Sequence, residues 1–274
     1  MPPPAVLAHA LDPLRQDPAR AAVLLDVDGT LAPIVERAEE AHVPEGTRGL
    51  LIELVRRYGL VACVSGRRAQ EARQIVGIGS MAYVGNHGAE LLAPGATEVR
   101  ALDPAFASLG ERVRECAHDA FTQRLRTLRV RLEDKGAISA FHWRGVPDEQ
   151  MAESAVREVA EQATREGLAV HWGRKVLELR PPGELSKGRA VRLLLGGEDG
   201  DGGPFTSAVY AGDDRTDIDA FDALASLKED GTIAYALRVA IASPEAPPEL
   251  LERADLVLER PAAVHGLLAG LLEG

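Results

Sequence analysis

No run in this 274-residue chain is long and apolar enough to span a bilayer. The N-terminal Met1-Pro2-Pro3-Pro4 opens neither a basic segment nor an apolar core, and the stretch Ile233 to Ala242 is broken by Arg238. Neither a signal peptide nor a membrane anchor is expected. Positive charge is also short, with 31 Lys and Arg against 42 Asp and Glu, a formal net charge of −11. Such a surface repels nucleic acid and anionic lipid, so any anionic ligand has to be drawn by a local cluster. The two cysteines, Cys63 and Cys116, have neither metal-site nor redox spacing, and His87 belongs to no zinc-binding pattern. Reduced, buried thiols in a soluble cytoplasmic protein are the expectation.

What the chain does have is Asp26-Val27-Asp28-Gly29-Thr30, just past the apolar run Ala21 to Leu25. The run reads as a buried strand, and the end of a parallel strand is a natural ligand site. Period-2 alternation sends Asp26 and Asp28 to one side and Val27 to the other, so both acids can face one Mg²⁺ and one substrate. Gly29 lets the chain turn away. A calcium loop would need further acidic ligands, whereas Thr30 to Val35 is nearly all apolar.

The first third alternates strands (Ala21–Asp26, Leu60–Ser65, Met81–Gly85) with helices (Glu45–Arg57, Ala69–Val76). The last third resumes the rhythm with helix Lys187–Leu195, strand Ala208–Asp213, helix Asp217–Ser226, strand-like runs Thr232–Ala236, Val239–Ala242 and Leu256–Glu259, and a terminal helix. Both belong to one parallel α/β sheet. Between them a helix (Pro104–Arg126), two strand-like runs (Leu128–Glu133, Ile138–Trp143), a helix (Pro147–Glu166) and two more runs (Ala169–Trp172, Val176–Arg180) read as αββαββ. Short turns make these strands antiparallel, so a smaller α+β cap is expected at 103–182, inserted into a discontinuous core of 20–102 and 183–274. The joints fall near Asp103 and Pro181-Pro182-Gly183, and the glycine-rich run Gly196 to Gly203 reads as a surface loop.

Three further clusters follow apolar strands or the cap joint: Ser65-Gly66-Arg67-Arg68, Lys187, and Gly212-Asp213-Asp214-Arg215-Thr216-Asp217. In this order, after Asp26-Val27-Asp28-Gly29-Thr30, they resemble the motif series of the haloacid dehalogenase-like phosphohydrolases, which implies a Rossmannoid parallel-sheet core. The chemistry suits phosphoryl transfer. Asp26 is anionic at neutral pH without a base and can attack phosphorus directly. Mg²⁺ held by the Asp26 and Asp213 carboxylates and the Asp28 backbone carbonyl would neutralise the repulsion between two anions. The Asp28 side chain is then general acid and later general base. Ser65 and the backbone at Gly66 bind phosphate oxygens, and Lys187 supplies fixed positive charge. Asp217 holds either Lys187 or a metal-bound water; Asp214 either acts through waters at the metal or caps the helix.

The blocks Leu25 to Ile34, Val64 to Arg68, Gly85-Asn86-His87-Gly88-Ala89-Glu90, Glu133-Asp134-Lys135-Gly136 with His142-Trp143-Arg144, Leu177 to Pro181, and Gly212 to Asp217 together resemble trehalose-6-phosphate phosphatases. The resemblance implies Mg²⁺-dependent hydrolysis of trehalose 6-phosphate through an aspartyl-phosphate, with the inserted module as a lid over the sugar. It implies substrate contacts from Thr30, Gly66, Arg67, Asn86, His87, Glu133, Lys135, Arg144 and Glu178. A disaccharide is rich in hydroxyls and uncharged, which carboxylates, amides and an occasional cation can read. Spacing alone favours Glu133 and Lys135 as exposed alternate residues on one face of a strand, weakly paired with each other, and the resemblance reverses that reading. Val27 and Ile218 depart from the usual pattern, the second at the edge of the metal site. No trehalose-phosphate synthase domain is seen, so action alone or by non-covalent association with such a synthase is expected. The alternatives are another sugar phosphate, such as sucrose phosphate or mannosylglycerate phosphate, a phosphomutase, or a non-catalytic sugar-phosphate-binding subunit of a synthase complex.

Overall fold

A computed structural model of the chain describes residues 3–35, 40–102, 105–183, 185–196, 204–244 and 246–273. The chain divides into two units, Met1–Val99 with Leu185–Gly274, and Arg100–Glu184. Among the described residues no helix is long and apolar enough to cross a membrane.

In the first unit, α1 (Pro4–Gln16) leads into β1 (Ala21–Leu25), followed by α2 (Glu45–Arg57), β2 (Leu60–Val64), α3 (Ala69–Val76), β3 (Ala82–Gly85) and β4 (Glu90–Leu92). The chain leaves this unit and re-enters it after a second unit that opens with β5 (Arg100–Ala101). That second unit continues with α4 (Ala105–Ala120), α5 (Gln123–Thr127), β6 (Arg131–Asp134), β7 (Ser139–His142), α6 (Glu149–Arg165), β8 (Ala169–Gly173) and β9 (Val176–Arg180). The first unit then resumes with α7 (Lys187–Gly196), β10 (Ser207–Gly212), α8 (Asp217–Glu229), β11 (Tyr235–Ile241), α9 (Pro248–Arg253), β12 (Leu256–Leu258) and α10 (Val264–Leu272).

Within the first unit the strands lie in the order β12-β11-β10-β1-β2-β3-β4. All neighbours are parallel except β3 and β4, which pair antiparallel. Every residue of β1 and β10 is buried, as befits central strands covered on both faces by helices. One layer of core joins Leu7, Leu11 and Leu14 of α1 to Leu51 and Leu54 of α2 and Leu267, Leu268 and Leu271 of α10. Helix α2 carries Glu45 in its first turn and Arg56 and Arg57 in its last, both favourable to the helix dipole.

The second unit is an antiparallel sheet in the order β6-β7-β9-β8. Phe141, Leu177 and Leu179 of the sheet pack with Ala152, Val156 and Val159 of α6 and with Val113 and Cys116 of α4. Strict alternation then turns Glu178 to the opposite face of β9.

Several boundaries differ from the expected ones. The runs expected as two strands, Thr232–Ala236 and Val239–Ala242, form the single strand β11, because Arg238 stays in the strand with its guanidinium 2.7 and 3.0 Å from the Asp255 carboxylate. The helix expected over Pro104–Arg126 is broken where Thr122 adopts an extended backbone (φ −71, ψ 169). The strand expected over Leu128–Glu133 begins only at Arg131, after Arg129 takes a left-handed conformation (φ 60). Helices α1 and α9 and strands β4 and β5 were not expected from the pattern. The joint at Asp103 and the glycine-rich run from residue 197 lie outside the described residues.

Leu51 is fully buried while its neighbour Ile52 is 38% exposed. Leu51→Ala is expected to cost about 2–5 kcal/mol and Ile52→Ala about 0.5 kcal/mol or less, both measured by urea denaturation. Equal losses would mean that α2 presents a different face to the sheet.

Candidate active site

Strands β10, β1 and β2 are neighbours, and the residue just past the carboxyl end of each is Asp213, Asp26 and Ser65 respectively. Ligands of open parallel sheets gather at such strand ends. Around them the first unit forms a cleft of about 600 Å³ lined by Asp28, Ile34, Val35, Arg67, Asp213, Asp214, Arg215 and Pro247.

The centre of the site is a buried ion cluster. Lys187, at the start of α7 and 2% exposed, donates to Asp26 Oδ1 and to Asp217 Oδ1, each at 2.8 Å, and lies 3.7 Å from Asp214. Burial opposes the lysine's charge, but the carboxylates of Asp217 and Asp26 outweigh it and hold Lys187 above its ordinary value. Burial likewise pushes the Asp26 carboxyl well up, against the pull of Lys187. Asp217 is saturated: Tyr210 donates to Oδ1 at 2.7 Å, and the backbone N–H groups of Asp213 and Asp214 donate to Oδ2 at 2.9 Å. It therefore fixes the loop that presents Asp213. Asp214 accepts from the backbone and hydroxyl of Thr216 and from the backbone of Asp217, the arrangement of a helix cap.

Asp26, Asp213 and Asp217 each offer an oxygen within 4.8 Å of the others. Asp217 is committed to Lys187, Tyr210 and two amides, which leaves Asp26 Oδ2 and the Asp213 carboxylate to face a cation. Burial, then repulsion from Asp217 and Asp214, pushes the Asp213 carboxyl up to about 7. A donor set made only of oxygens, crowded enough to resist ionisation, fits a hard divalent cation such as Mg²⁺. Gly29 is needed here twice over. Its φ is +79, and a Cβ on it would lie 2.0 Å from Asp213 Oδ2. Thr30 donates its hydroxyl to Asp213 Oδ1 at 3.2 Å, so the expected substrate contact of Thr30 is matched by a bond to the carboxylate instead.

Arg67, also expected on the substrate, forms a two-pronged pair with Asp28: Nε to Oδ2 at 2.6 Å and Nη2 to Oδ1 at 2.7 Å. Asn86 and His87 occupy left-handed backbone conformations (φ 49 and 55) and are tied to the Ser65 loop, Asn86 N–H donating to Arg67 O at 2.8 Å and His87 N–H to Ser65 O at 3.1 Å. A Cβ on Gly66 would lie 2.7 Å from the His87 ring. The Asn86 amide is buried and donates to Glu90 Oε1, while Glu90 Oε2 accepts from the backbone of Ala69 at the start of α3.

Tyr210 and Glu90 are the positioning groups that the sequence pattern missed. Tyr210 lies in an unbroken apolar run and reads as core. Glu90 is an isolated acid ahead of Leu91-Leu92, and only its burial among donors gives it away.

In the second unit, one cross-strand row holds Glu133, Ala140, Glu178 and His171. Glu178 accepts from Lys135 at 3.1 Å and from Arg180 at 2.7 Å, and Glu133 Oε2 lies 2.7 Å from His142 Nε2. The row thus joins Glu178 to Lys135 and places Glu133 two positions across the sheet. Arg144 sits apart, donating to the Arg174 carbonyl at 3.1 Å.

A parallel core with these strand-end carboxylates and an inserted α+β unit defines the haloacid dehalogenase-like fold. Residues 24–244 match the trehalose-phosphatase family model, and the chain belongs to that family. It is similar to a trehalose-phosphate phosphatase of Mycobacterium avium, 33% identical over 251 residues, which cover 87% of this chain and 63% of that protein. An uncharacterized glycosyl hydrolase of Mycobacterium tuberculosis is 37% identical over 219 residues, 75% of this chain and 15% of that protein. The chain thus spans less than two thirds of the length of these curated relatives. The solved structure of Aspergillus fumigatus trehalose-6-phosphate phosphatase superposes with a TM-score of 0.63 at 25% identity, covering 97% of this chain and 96% of that one.

Burial raises the Glu178 carboxyl, but Arg180 and Lys135 outweigh it and hold it below its ordinary value. Its charged form is the one the fold favours, so the pairing contributes stability above the unfolded carboxylate value of about 4.3 and loses it as pH falls. Glu178→Gln is expected to be less stable than the wild type at neutral pH, with the gap closing below about pH 4.3. Denaturation of both proteins from pH 7 to 3 measures it; a constant gap would refute the charge linkage.

Proposed function

We propose that the chain is a Mg²⁺-dependent phosphatase that hydrolyses trehalose 6-phosphate to trehalose and phosphate. The observation that carries this is the buried Lys187 bridging Asp26 and Asp217 beside Asp213, at the ends of adjacent parallel strands. When bound by Asp26, Asp213 and the Asp28 carbonyl, Mg²⁺ would supply charge neutralisation between nucleophile and phosphate.

Asp26 attacks phosphorus and the ester oxygen departs, giving an aspartyl-phosphate. Asp28 gives the departing alkoxide a proton, then accepts one from the water that releases phosphate and restores Asp26. The Ser65 hydroxyl donates to a phosphate oxygen; its oxygen already accepts from Arg67 N–H at 3.1 Å, which orients it. Lys187 holds Asp26 in place and offsets the charge on the transferring group. Glu178, kept charged by two cations, and Glu133 accept hydroxyl hydrogens of the sugar, Lys135 and Arg144 of the inserted unit donate to its oxygens, and Asn86 and His87 complete the set of sugar contacts. Free, buried Cys63 and Cys116 support a reducing compartment, the cytosol. A trehalose-phosphate synthase, which makes this substrate, is the partner this function implies.

Phosphate release with Mg²⁺ is expected to be fastest from trehalose 6-phosphate in a panel with sucrose 6-phosphate, mannosylglycerate phosphate and glucose 6-phosphate. Removal of the metal by chelation should abolish it, and Asp26→Asn should leave a folded protein without turnover. Preference for another ester would reassign the substrate; activity in Asp26→Asn would remove the nucleophile. In Glu178→Ala, kcat/KM is expected to fall at least about tenfold on trehalose 6-phosphate and far less on 4-nitrophenyl phosphate. Equal losses would place the sugar elsewhere.

A further inference from the structure

We propose that Arg67 is a positioning residue for the proton-transferring Asp28, acting on departure of the sugar oxygen through that carboxylate rather than by gripping the phosphate. This assignment rests on the phosphatase function proposed above. A guanidinium presents its donors as a planar fork, and here the Nε edge of the fork meets both oxygens of Asp28, at 2.6 and 2.7 Å. With both oxygens engaged, the Asp28 carboxylate is held in one orientation by Arg67. The pair is partly buried, the Arg67 side chain being 20% exposed and that of Asp28 37%.

The base of the fork is itself fixed. Arg67 N–H donates to Ser65 Oγ at 3.1 Å, and Arg67 O accepts from Asn86 N–H at 2.8 Å. A Cβ on Gly85 would come within 2.8 Å of that same oxygen, so β3 holds the loop against its neighbour. The loop that carries the phosphate-binding Ser65 thereby also sets the direction of Asp28, which follows a different strand and lies 39 residues away in sequence. Lys would be a poor substitute, because a single ammonium cannot span both carboxylate oxygens in one plane.

The test measures kcat/KM, which covers steps up to departure of the alcohol, for the wild type, Arg67→Ala, Asp28→Asn and the double variant, with Mg²⁺. On trehalose 6-phosphate Arg67→Ala is expected to lose about 10²-fold, within the range of general-acid contributions. In the Asp28→Asn background the same change should cost less than about threefold, because its effect has already been removed. The second readout compares benzyl phosphate with 4-nitrophenyl phosphate, which are similar in size and lack the sugar. Arg67→Ala should lose much more on the benzyl ester, whose alkoxide needs a proton, than on the nitrophenyl ester, whose phenolate does not. Arg67→Lys, which keeps the charge and removes the fork, should show the same leaving-group dependence and serves if the alanine variant fails to fold. Multiplicative losses on trehalose 6-phosphate, or equal losses on the two aryl-bearing esters, would overturn the assignment and return Arg67 to phosphate binding. A wild type that releases phosphate from none of these esters would overturn the parent function and this inference with it.

Discussion

The buried contact between Lys187 and the carboxylates of Asp26 and Asp217 is the constraint on which the rest of the core depends. Removing an ammonium and two carboxylates from water costs several kcal/mol per ion, so each must be matched at close range. Here the partners span the fold: Asp26 ends β1, Lys187 begins α7 after the inserted unit, and Asp217 begins α8 after β10. The first two are 161 positions apart, so the two separated segments of the first unit meet at this contact. Asp217 also takes two backbone amides and Tyr210, so the same contact shapes the turn that offers Asp213. Loss of Lys187 would leave buried acids unbalanced, and the geometry of the Asp26, Asp213 and Asp217 carboxylates would go with them. Stability and chemistry are here carried by the same atoms.

That the strand-end acids could be read from sequence follows from the same physics. Runs such as Ala21 to Leu25 and Ala208 to Ala211 read as buried strands, and the acid that follows, Asp26 directly and Asp213 after Gly212, marks the strand's carboxyl end. The parallel core and the antiparallel insert were legible for that reason. Helix α1 was not, because its opening prolines and Pro13 suggest loop, although proline is tolerated in the first turn. Strand β11 read as two because Arg238 interrupts the apolar run; its pairing with Asp255 is invisible until the fold brings them together. The contacts of Arg67 with Asp28 and of Tyr210 with Asp217 were illegible for a related reason. Pattern reading sees which face a residue takes, but not which distant partner it meets there.

The inserted unit shows the complementary case. Along β9, Val176-Leu177-Glu178-Leu179-Arg180 sends Leu177 and Leu179 into the helix-facing core and Glu178 to the other side, so one alternation supplies both packing and recognition groups. Ala140, fully buried, lies between Glu133 and Glu178 across the sheet. Glu178 is held charged by Lys135 on one oxygen and by Arg180 on the other, and an ionised carboxylate with about four lone-pair sites keeps acceptor capacity beyond those bonds.

The proposed function asks a site rich in carboxylate to admit a dianionic ester although the chain as a whole carries −11. Lys187 is already matched by two carboxylates and Arg67 by Asp28. Asp213 and Asp214 face the same cleft, and burial first, then repulsion from Asp217 and Asp214, pushes Asp213 up to about 7. Arg215 lines the cleft as well, but one guanidinium does not offset this set. On the proposed function the balance comes from outside the chain, and a divalent cation would be a condition of substrate association as well as of reaction. Gly29 sets how near such a cation and the nucleophile can lie: with a side chain at that position the Asp213 carboxylate could not stay where it is. The glycine of the Asp-x-Asp-Gly order is thus a steric requirement of the Asp213 carboxylate, and not only a turn.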